Sequence, residues 1–543
     1  MSTYTSLALL CALSRFSSIV NASPFPGHQQ DVCALDSYTL VPDNGTGLWP
    51  YRTYKTNHAE PPQLAITKHN STTKHELSPG LIFFGLGNAY VPGEARQAPL
   101  IMTSDGDLVW SGPESATSNV QVHTLHGRPV LSYWVEEAGT AGYGSVRVMD
   151  TQYNILHTVC PKIDIQQKPG SNATCVADTH EATISANNTM ILPVYNLTQT
   201  DLTSLGGPKD GWVIDPLAVE VDIETNEVLW SWSPLAHVPV NVSGQPLQGT
   251  GYNASHPFDW FHTNSIQPFN DNFLINSRSA STAYYVNRSG EIMWEINGRT
   301  GGSFGPLSKE TAFSWQHHVR LHSLGDDSKS LLLTMFDDSN QLYTQTNTSS
   351  ALGIVLELPP NKATSPRPYS RLIDTSELIA SYAQGSYELL PGGNAFVGFG
   401  ARPFMKEFGP NKNGSEVLWS AQFGYDNNNN TAVSYRAFKN DWHATPSEPV
   451  DVVVHMAAPQ DELNYCANGS QYRGYVSWHG ATDIVAYSIH TGQSETCLDQ
   501  VSTIPRLGFE TEFVVPVNAR FLQVMALKGA RHAVGNSSIV AIA

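Results

Sequence analysis

Four segments of the chain end alike, in a polar turn followed by a short apolar run closed by tryptophan. They are Ser104–Trp110 (SDGDLVW), Ile223–Trp230 (IETNEVLW), Arg288–Trp294 (RSGEIMW) and Asn413–Trp419 (NGSEVLW). Inner turn-plus-apolar runs recur at Thr183–Val194, Gln267–Arg278 and Leu389–Gly400. Val120–Val159 and Phe313–Ile373 keep the strand pattern without the tryptophan. From Leu81 onward this makes about six units of roughly 40 to 70 residues. A unit that short cannot cover both faces of its own sheet, so each must bury its faces against its neighbours. The pattern predicts an all-β fold, a six-bladed β-propeller over residues 23–446, rather than a pair of irregular sandwiches. Composition agrees: only 14% of the residues are charged and 10% are aromatic, with 42 Gly and 34 Pro, which favours short strands and turns over long helices.

After about Ser447 the texture changes. Val450–Met456, Tyr475–Trp478, Ile484–Ser488, Thr511–Val515 and Arg520–Ala526 read as short strands of a small C-terminal β-sandwich, residues 447–543. At the other end, an apolar run at Leu7–Leu13 and a small-residue site at Val20-Asn21-Ala22 read as a signal peptide over residues 1–22. Sequons support a secretory route: Asn44, Asn70, Asn172, Asn187, Asn196, Asn241, Asn253, Asn287, Asn347, Asn413, Asn429, Asn468 and Asn536. No later apolar run reaches the roughly 20 residues that span a bilayer. Sequence proximity pairs Cys160 with Cys175 and Cys466 with Cys497, leaving Cys33 over once Cys11 departs with the leader. The net charge of −18, with no Lys/Arg run, argues against a nucleic-acid partner.

Candidate chemistry gathers in Asp259–Arg278, DWFHTNSIQPFNDNFLINSR, read as two short strands across a Pro268–Asn272 turn. It supplies His262 and Arg278. Trp315–Arg320 (WQHHVR) adds His317 and His318, and Asp178–Glu181 (DTHE) adds His180. A single strand histidine is most often structural, and a single arginine is most often an ion-pair partner. Here they stand, with Ser386, at similar places in successive units, and a propeller brings such places together at its centre. Imidazole can act as nucleophile, base or acid near neutral pH, and arginine offers a fork of donors to an oxyanion. No GxSxG and no glycosidase-like carboxylate pair stands out. His318 and His322 on one strand face would lie about 13 Å apart, too far for one ion, so no metal and no cofactor are expected.

The DTHE, DWFHTNSI…NSR and QHHVR motifs together resemble a fungal secreted arylsulfotransferase-like family related to bacterial arylsulfate sulfotransferases. The resemblance covers about Leu81–Gly424 and extends weakly to VSWHGATD at Val476–Asp483. It implies a six-bladed propeller with a central site. It also implies a transiently sulfated histidine at His317 or His318, with His180, His262 and Arg278 holding the sulfuryl group. The family also includes hetero-Diels–Alderases of tropolonic sesquiterpene pathways. That similarity implies a second use of the same residues, joining a tropolone o-quinone methide to a humulene-type terpene in a pocket shaped by aromatics such as Trp260, Phe261, Trp315 and Phe399, although each of these taken singly fits a blade core better. The cycloaddition is the favoured expectation. Sulfuryl transfer and a non-catalytic binding propeller are the alternatives, and the small-molecule partners would be a tropolone and a sesquiterpene.

Overall fold

The computed structural model describes residues 33–43, 48–69, 75–87, 97–137, 139–140, 142–325, 329–341, 347–410, 416–426, 432–458, 461–466, 469–529 and 531–542. The expected leader and the sequons at Asn44, Asn70, Asn413, Asn429 and Asn468 lie outside the described residues. Among the described residues the regular structure is strand, joined by turns and short 3₁₀ segments, as the all-β expectation required. Two compact units emerge. One holds Leu40–Arg52 and Glu60–Ala444. The other holds the described residues up to Thr39, Thr53–Ala59 and Thr445–Ala543.

In the larger unit, six antiparallel sheets follow one another among the described residues. Four begin with the innermost strands Thr117–Leu125, Thr183–Ile184, Thr263–Phe269 and His317–Leu324, and a fifth begins with Ser386–Leu389. The sheet that starts at Leu81 instead takes its innermost strand, Ala437–Asn440, from late in the chain. These strands touch in sequence around a ring, except that Thr263–Phe269 meets Thr189–Thr200, the partner of Thr183–Ile184, and Ala437–Asn440 meets both Ser386–Leu389 and Thr117–Leu125. The starts of the innermost strands therefore converge, as in a propeller.

The repeating tryptophans lie on the strands Leu108–Ser111, Val228–Trp232, Ile292–Asn297 and Val417–Gln422, far from the centre. The indoles of two of them bond to a turn. Trp230 Nε1 donates to the Arg288 carbonyl at 3.0 Å and Trp419 Nε1 to the Ser104 carbonyl at 2.9 Å, each in the turn of the next repeat. Apolar clusters fill the space between neighbouring sheets. One sits between the third and fourth sheets in chain order, where Trp232, Phe258, Trp260, Phe261, Ile266 and Tyr284 are buried together. Each such side chain stabilises the fold by roughly 1.5–3 kcal/mol relative to exposure.

The hairpin at the centre of the motif is tighter than expected. Its strands run Thr263–Phe269 and Asn272–Ser277, so Pro268 is inside a strand, opposite Phe273. The turn is only Asn270–Asp271, both left-handed with φ of 47° and 61°, as a two-residue hairpin loop with right-handed twist requires.

The smaller unit contains two sheets. One comprises Ala34–Ser37, Glu510–Val514, Tyr472–Ser477 and Asp451–Met456. The other comprises Cys497–Pro505, Ala486–Ser494, Phe521–Lys528 and His532–Asn536, with Val540–Ala541 alongside. Val476, Trp478, Tyr487, Ile489, Phe513 and Val524 share its core. Ala34–Ser37, expected within the propeller segment 23–446, thus belongs to the smaller unit, and this strand overturns one expected disulfide. Cys33 immediately precedes Ala34–Ser37, which places it 5.8 Å (Cα–Cα) from Cys466, and these two are bonded. Cys466 is therefore not paired with Cys497, which begins a strand of the other sheet and is itself disulfide-bonded. The pairing of Cys160 with Cys175 is as expected.

Candidate active site

Three histidines at the mouths of the innermost strands are each held by a carboxylate. Asp178 lies two residues before His180, and its Oδ1 meets His180 Nδ1 at 2.5 Å. Asp259 lies three residues before His262 and makes the same contact through Oδ2 at 2.5 Å. His317 finds its carboxylate on the next strand's exit, with Asp338 Oδ2 at 2.6 Å from Nδ1. Such partners fix ring orientation and leave Nε2 as the working nitrogen. The backbone is strained where the side chains must turn inward. His262 has φ of 55°, Trp315 59° and Gln384 68°, a left-handed region that non-glycine residues enter at a cost.

The structure brings His180, His262, Arg278 and His317 together. The His180 and His262 rings meet edge to face with centroids 4.7 Å apart. Tyr195 stacks on His180 at 5.1 Å and donates its hydroxyl to the Thr263 carbonyl. Tyr435 stands edge-on to both His180, at 5.5 Å, and His317, at 6.3 Å. Arg278 crosses the Trp315 ring at 5.1 Å and donates from Nη2 to the Tyr382 carbonyl at 2.9 Å. Its backbone N–H donates to the His262 carbonyl, which ties the two functional residues to one turn. Two residues beyond Tyr382, the Gln384 N–H donates to His317 Nε2 at 3.1 Å. That bond settles the tautomer: Nε2 carries the lone pair, and one proton is shared between His317 Nδ1 and Asp338.

A cavity of about 180 Å³ adjoins the cluster, lined by Gln245, Thr250, Pro257, Phe258, Asp259, His262, Arg278 and Ser279. Several polar atoms here are buried without a partner: Asp259 Oδ1, Arg278 Nε, Asp338 Oδ1, Gln384 Oε1 and the Tyr435 hydroxyl. Stranded groups cost stability, and their concentration in one place marks a site arranged for something other than the fold.

Electrostatics favour the neutral form of two of the imidazoles, His317 and His262. Burial, then Arg278 and the neighbouring histidines, pushes His317 well below the ordinary imidazole range. Burial likewise lowers His262, against the pull of Asp259. Burial pushes the Asp259 carboxyl up, but His262, His180 and Arg278 outweigh it and hold it low.

The remaining candidates stand elsewhere. His318 turns away from His317, with Nδ1 against the Tyr387 backbone at about 3 Å and its ring on Phe438. Trp260 and Phe261 are fully buried between sheets, and Phe399 is buried against Phe336. Of the four aromatics only Trp315 borders the cluster, through Arg278. His322 bonds the Thr334 hydroxyl.

The three carboxylates, Tyr195, Tyr435 and Gln384 escaped the reading of the sequence. Asp178 and Asp259 were legible beside their histidines. Tyr435 was not, since it arrives with the ring-closing strand.

A ring of antiparallel sheets thus gathers carboxylate-backed imidazoles and an arginine at the starts of its innermost strands. Residues 121–424, more than half of the chain, match the family described as Arylsulfotransferase (ASST), and the chain belongs to that family. No curated protein matches the chain significantly. Among solved structures, the chain is similar to the WD40 domain of Toxoplasma gondii coronin, with 9% identity and TM-score 0.30, covering 84% of this chain and 87% of that one. It is also similar to a Penicillium chrysogenum alpha-L-arabinanase complexed with arabinobiose, with 8% identity and TM-score 0.30, covering 74% of this chain and 93% of that one. Both TM-scores are too low to bear on fold or chemistry. Among the described residues, no helix is long and apolar enough to cross a membrane, and no metal-holding cluster of His, Cys, Asp and Glu occurs.

Proposed function

We propose that the protein is a sulfuryl-transfer enzyme of the arylsulfotransferase type, with the six sheets as its six blades. In the proposed reaction His317 Nε2 takes the sulfuryl group from an aryl sulfate and passes it to a phenol. The observation that carries this reading is the trio of Asp-backed histidines around Arg278. A nucleophilic imidazole must be neutral with its lone pair on the attacking nitrogen, and His317 meets both conditions. The sulfur would take the place that the Gln384 N–H occupies. His180, His262 and Arg278 would hold the sulfuryl oxygens.

The family match supports sulfuryl transfer over the cycloaddition. The cavity beside His262 and Arg278 offers room for the aryl group of a small sulfate ester. A secreted glycoprotein fits the disulfides and the exposed sequons at Asn172, Asn187, Asn241, Asn253, Asn347 and Asn536. A mass shift on treatment with an N-glycosidase tests that.

The test of function is incubation with 4-nitrophenyl sulfate, following nitrophenol release and the intact mass of the deglycosylated protein. Release together with one added sulfuryl group mapped to His317 is expected. Release with the group on His262 would reassign the nucleophile. No release and no adduct would sink the reading, and the cycloaddition would then be tested with a hydroxymethyl tropolone and humulene.

A further inference from the structure

We propose that the Tyr435 hydroxyl is a substrate-binding donor of this site, hydrogen-bonded to the phenolic oxygen that departs from sulfur. The inference rests on the sulfuryl-transfer reading and names the group that receives the developing charge.

Three observations carry it. First, the Tyr435 ring is in edge contact with the rings of both His180 and His317, which puts the residue beside the imidazole that would carry the electrophile. Secondly, the residue is only 8% exposed, yet its hydroxyl has no partner in the protein. Buried tyrosine hydroxyls almost always find one. Tyr195, on the other side of His180, donates to the Thr263 carbonyl and is plainly structural. Thirdly, the backbone holds Tyr435 in place while its hydroxyl is idle. Its carbonyl accepts the Gly385 N–H at 2.9 Å, next to the Gln384 N–H that marks the approach to His317 Nε2.

The chemistry is balanced without a proton from Tyr435. The His317 Nε2–S bond forms, the bond from sulfur to the aryl oxygen breaks, and its electron pair goes to that oxygen. Burial raises the Tyr435 hydroxyl far above its ordinary range, and the carboxylates of Asp178, Glu181 and Asp338 add to this, although Arg436 opposes it. The hydroxyl therefore keeps its proton through neutral and mildly alkaline pH and acts as a fixed donor, not as an acid. Its contribution grows with the charge on the departing oxygen.

The experiment is Tyr435→Phe, assayed on aryl sulfates whose phenols span a range of basicity, from 4-nitrophenyl to phenyl sulfate. A kcat loss of about 10-fold is expected for 4-nitrophenyl sulfate and of about 100-fold or more for phenyl sulfate, the size seen when one oxyanion donor is removed. The variant should fold at least as well as the parent, because the lost hydroxyl bonds nothing. A loss of equal size across the series, or no loss, overturns the inference and leaves sulfuryl transfer standing. If the parent protein itself releases no phenol from any member of the series, the proposed reaction fails and this role fails with it.

Discussion

Two layers of polar side chains occupy the centre of the larger unit, built from the same residue types and left in opposite states. The first is the cluster of His180, His262, His317 and Arg278, with several buried polar atoms that bond nothing. The second lies one step further along the innermost strands. There Glu181 accepts Arg320 Nη2 and Arg436 Nη1, each at 2.7 Å, and also the Ile266 N–H. Arg436 continues to the Asn264 carbonyl. Burial pushes Glu181 up, but the two guanidiniums outweigh it and hold it at about 2. Both layers set an arginine beside a buried carboxylate, so residue type alone does not separate them. The use made of their bonds does. The second layer uses its charges to join strands from several sheets, with Arg436 Nε left over, while in the first Asp259 Oδ1, Arg278 Nε, Asp338 Oδ1, Gln384 Oε1 and the Tyr435 hydroxyl bond nothing and His317 Nε2 accepts only the Gln384 N–H.

This difference predicts opposite outcomes for substitutions a few residues apart. The largest expected effect is on activity. His317→Asn removes the proposed nucleophile, so turnover of an aryl sulfate should fall by roughly 10⁴-fold or more, the scale on which nucleophile knockouts act. Urea unfolding should change far less, because the site's bonds do little for the fold. Next comes stability. Glu181→Gln leaves Arg320 and Arg436 as buried cations without a counter-charge, which costs about 3–5 kcal/mol in unfolding free energy. If Glu181→Gln proved neutral in a urea titration while His317→Asn unfolded the protein, the division of labour would be reversed.

The same contrast explains what was legible beforehand. Period and turn chemistry are local, so the all-β fold and the unit endings could be read from the tryptophans. His180, His262 and His317 could be singled out because each opens an innermost strand. His317 and His318 could not be told apart, because the irregular pairing that separates them, where the strand slips register between His317 and Arg320, has no sequence signature. Asp338 and Tyr435 join the cluster only through strand pairing and ring closure. Cys33 was misjudged for the same kind of reason: it reaches Cys466 across 433 residues by adding a strand to a distant sheet. The aromatics were ambiguous in sequence, and Trp260 is fully buried because a sheet interface needs its volume more than the site does.

The smallest expected effect sharpens the comparison through pH. Beyond Glu181 the innermost strands carry two more histidines, His123 and His322. Burial pushes each to about 4, in His123 against the attraction of Glu181, while Arg320 lowers both. In the unfolded chain they bind protons near 6.5. The unfolded state therefore takes up protons first as pH falls, and stability is lost between about 6.5 and 4, at most about 1.4 kcal/mol per pH unit for each proton. Glu388 works the other way. Burial raises it to about 8, so the stability it gives is full below the ordinary carboxylate range and is lost as pH rises towards 8. Unfolding by urea at pH 7, 5.5 and 4.5 should show the acid loss, and His322→Gln should flatten it by about one proton's worth. Turnover should follow a different course in the same interval. His317 and His262 are held neutral, so kcat on an aryl sulfate should stay level as pH falls through 6.5 and drop only at lower pH. A profile that broke at 6.5 would mean that the attacking imidazole titrates as if in water, and the dry, carboxylate-backed site would not be where the sulfuryl group is taken.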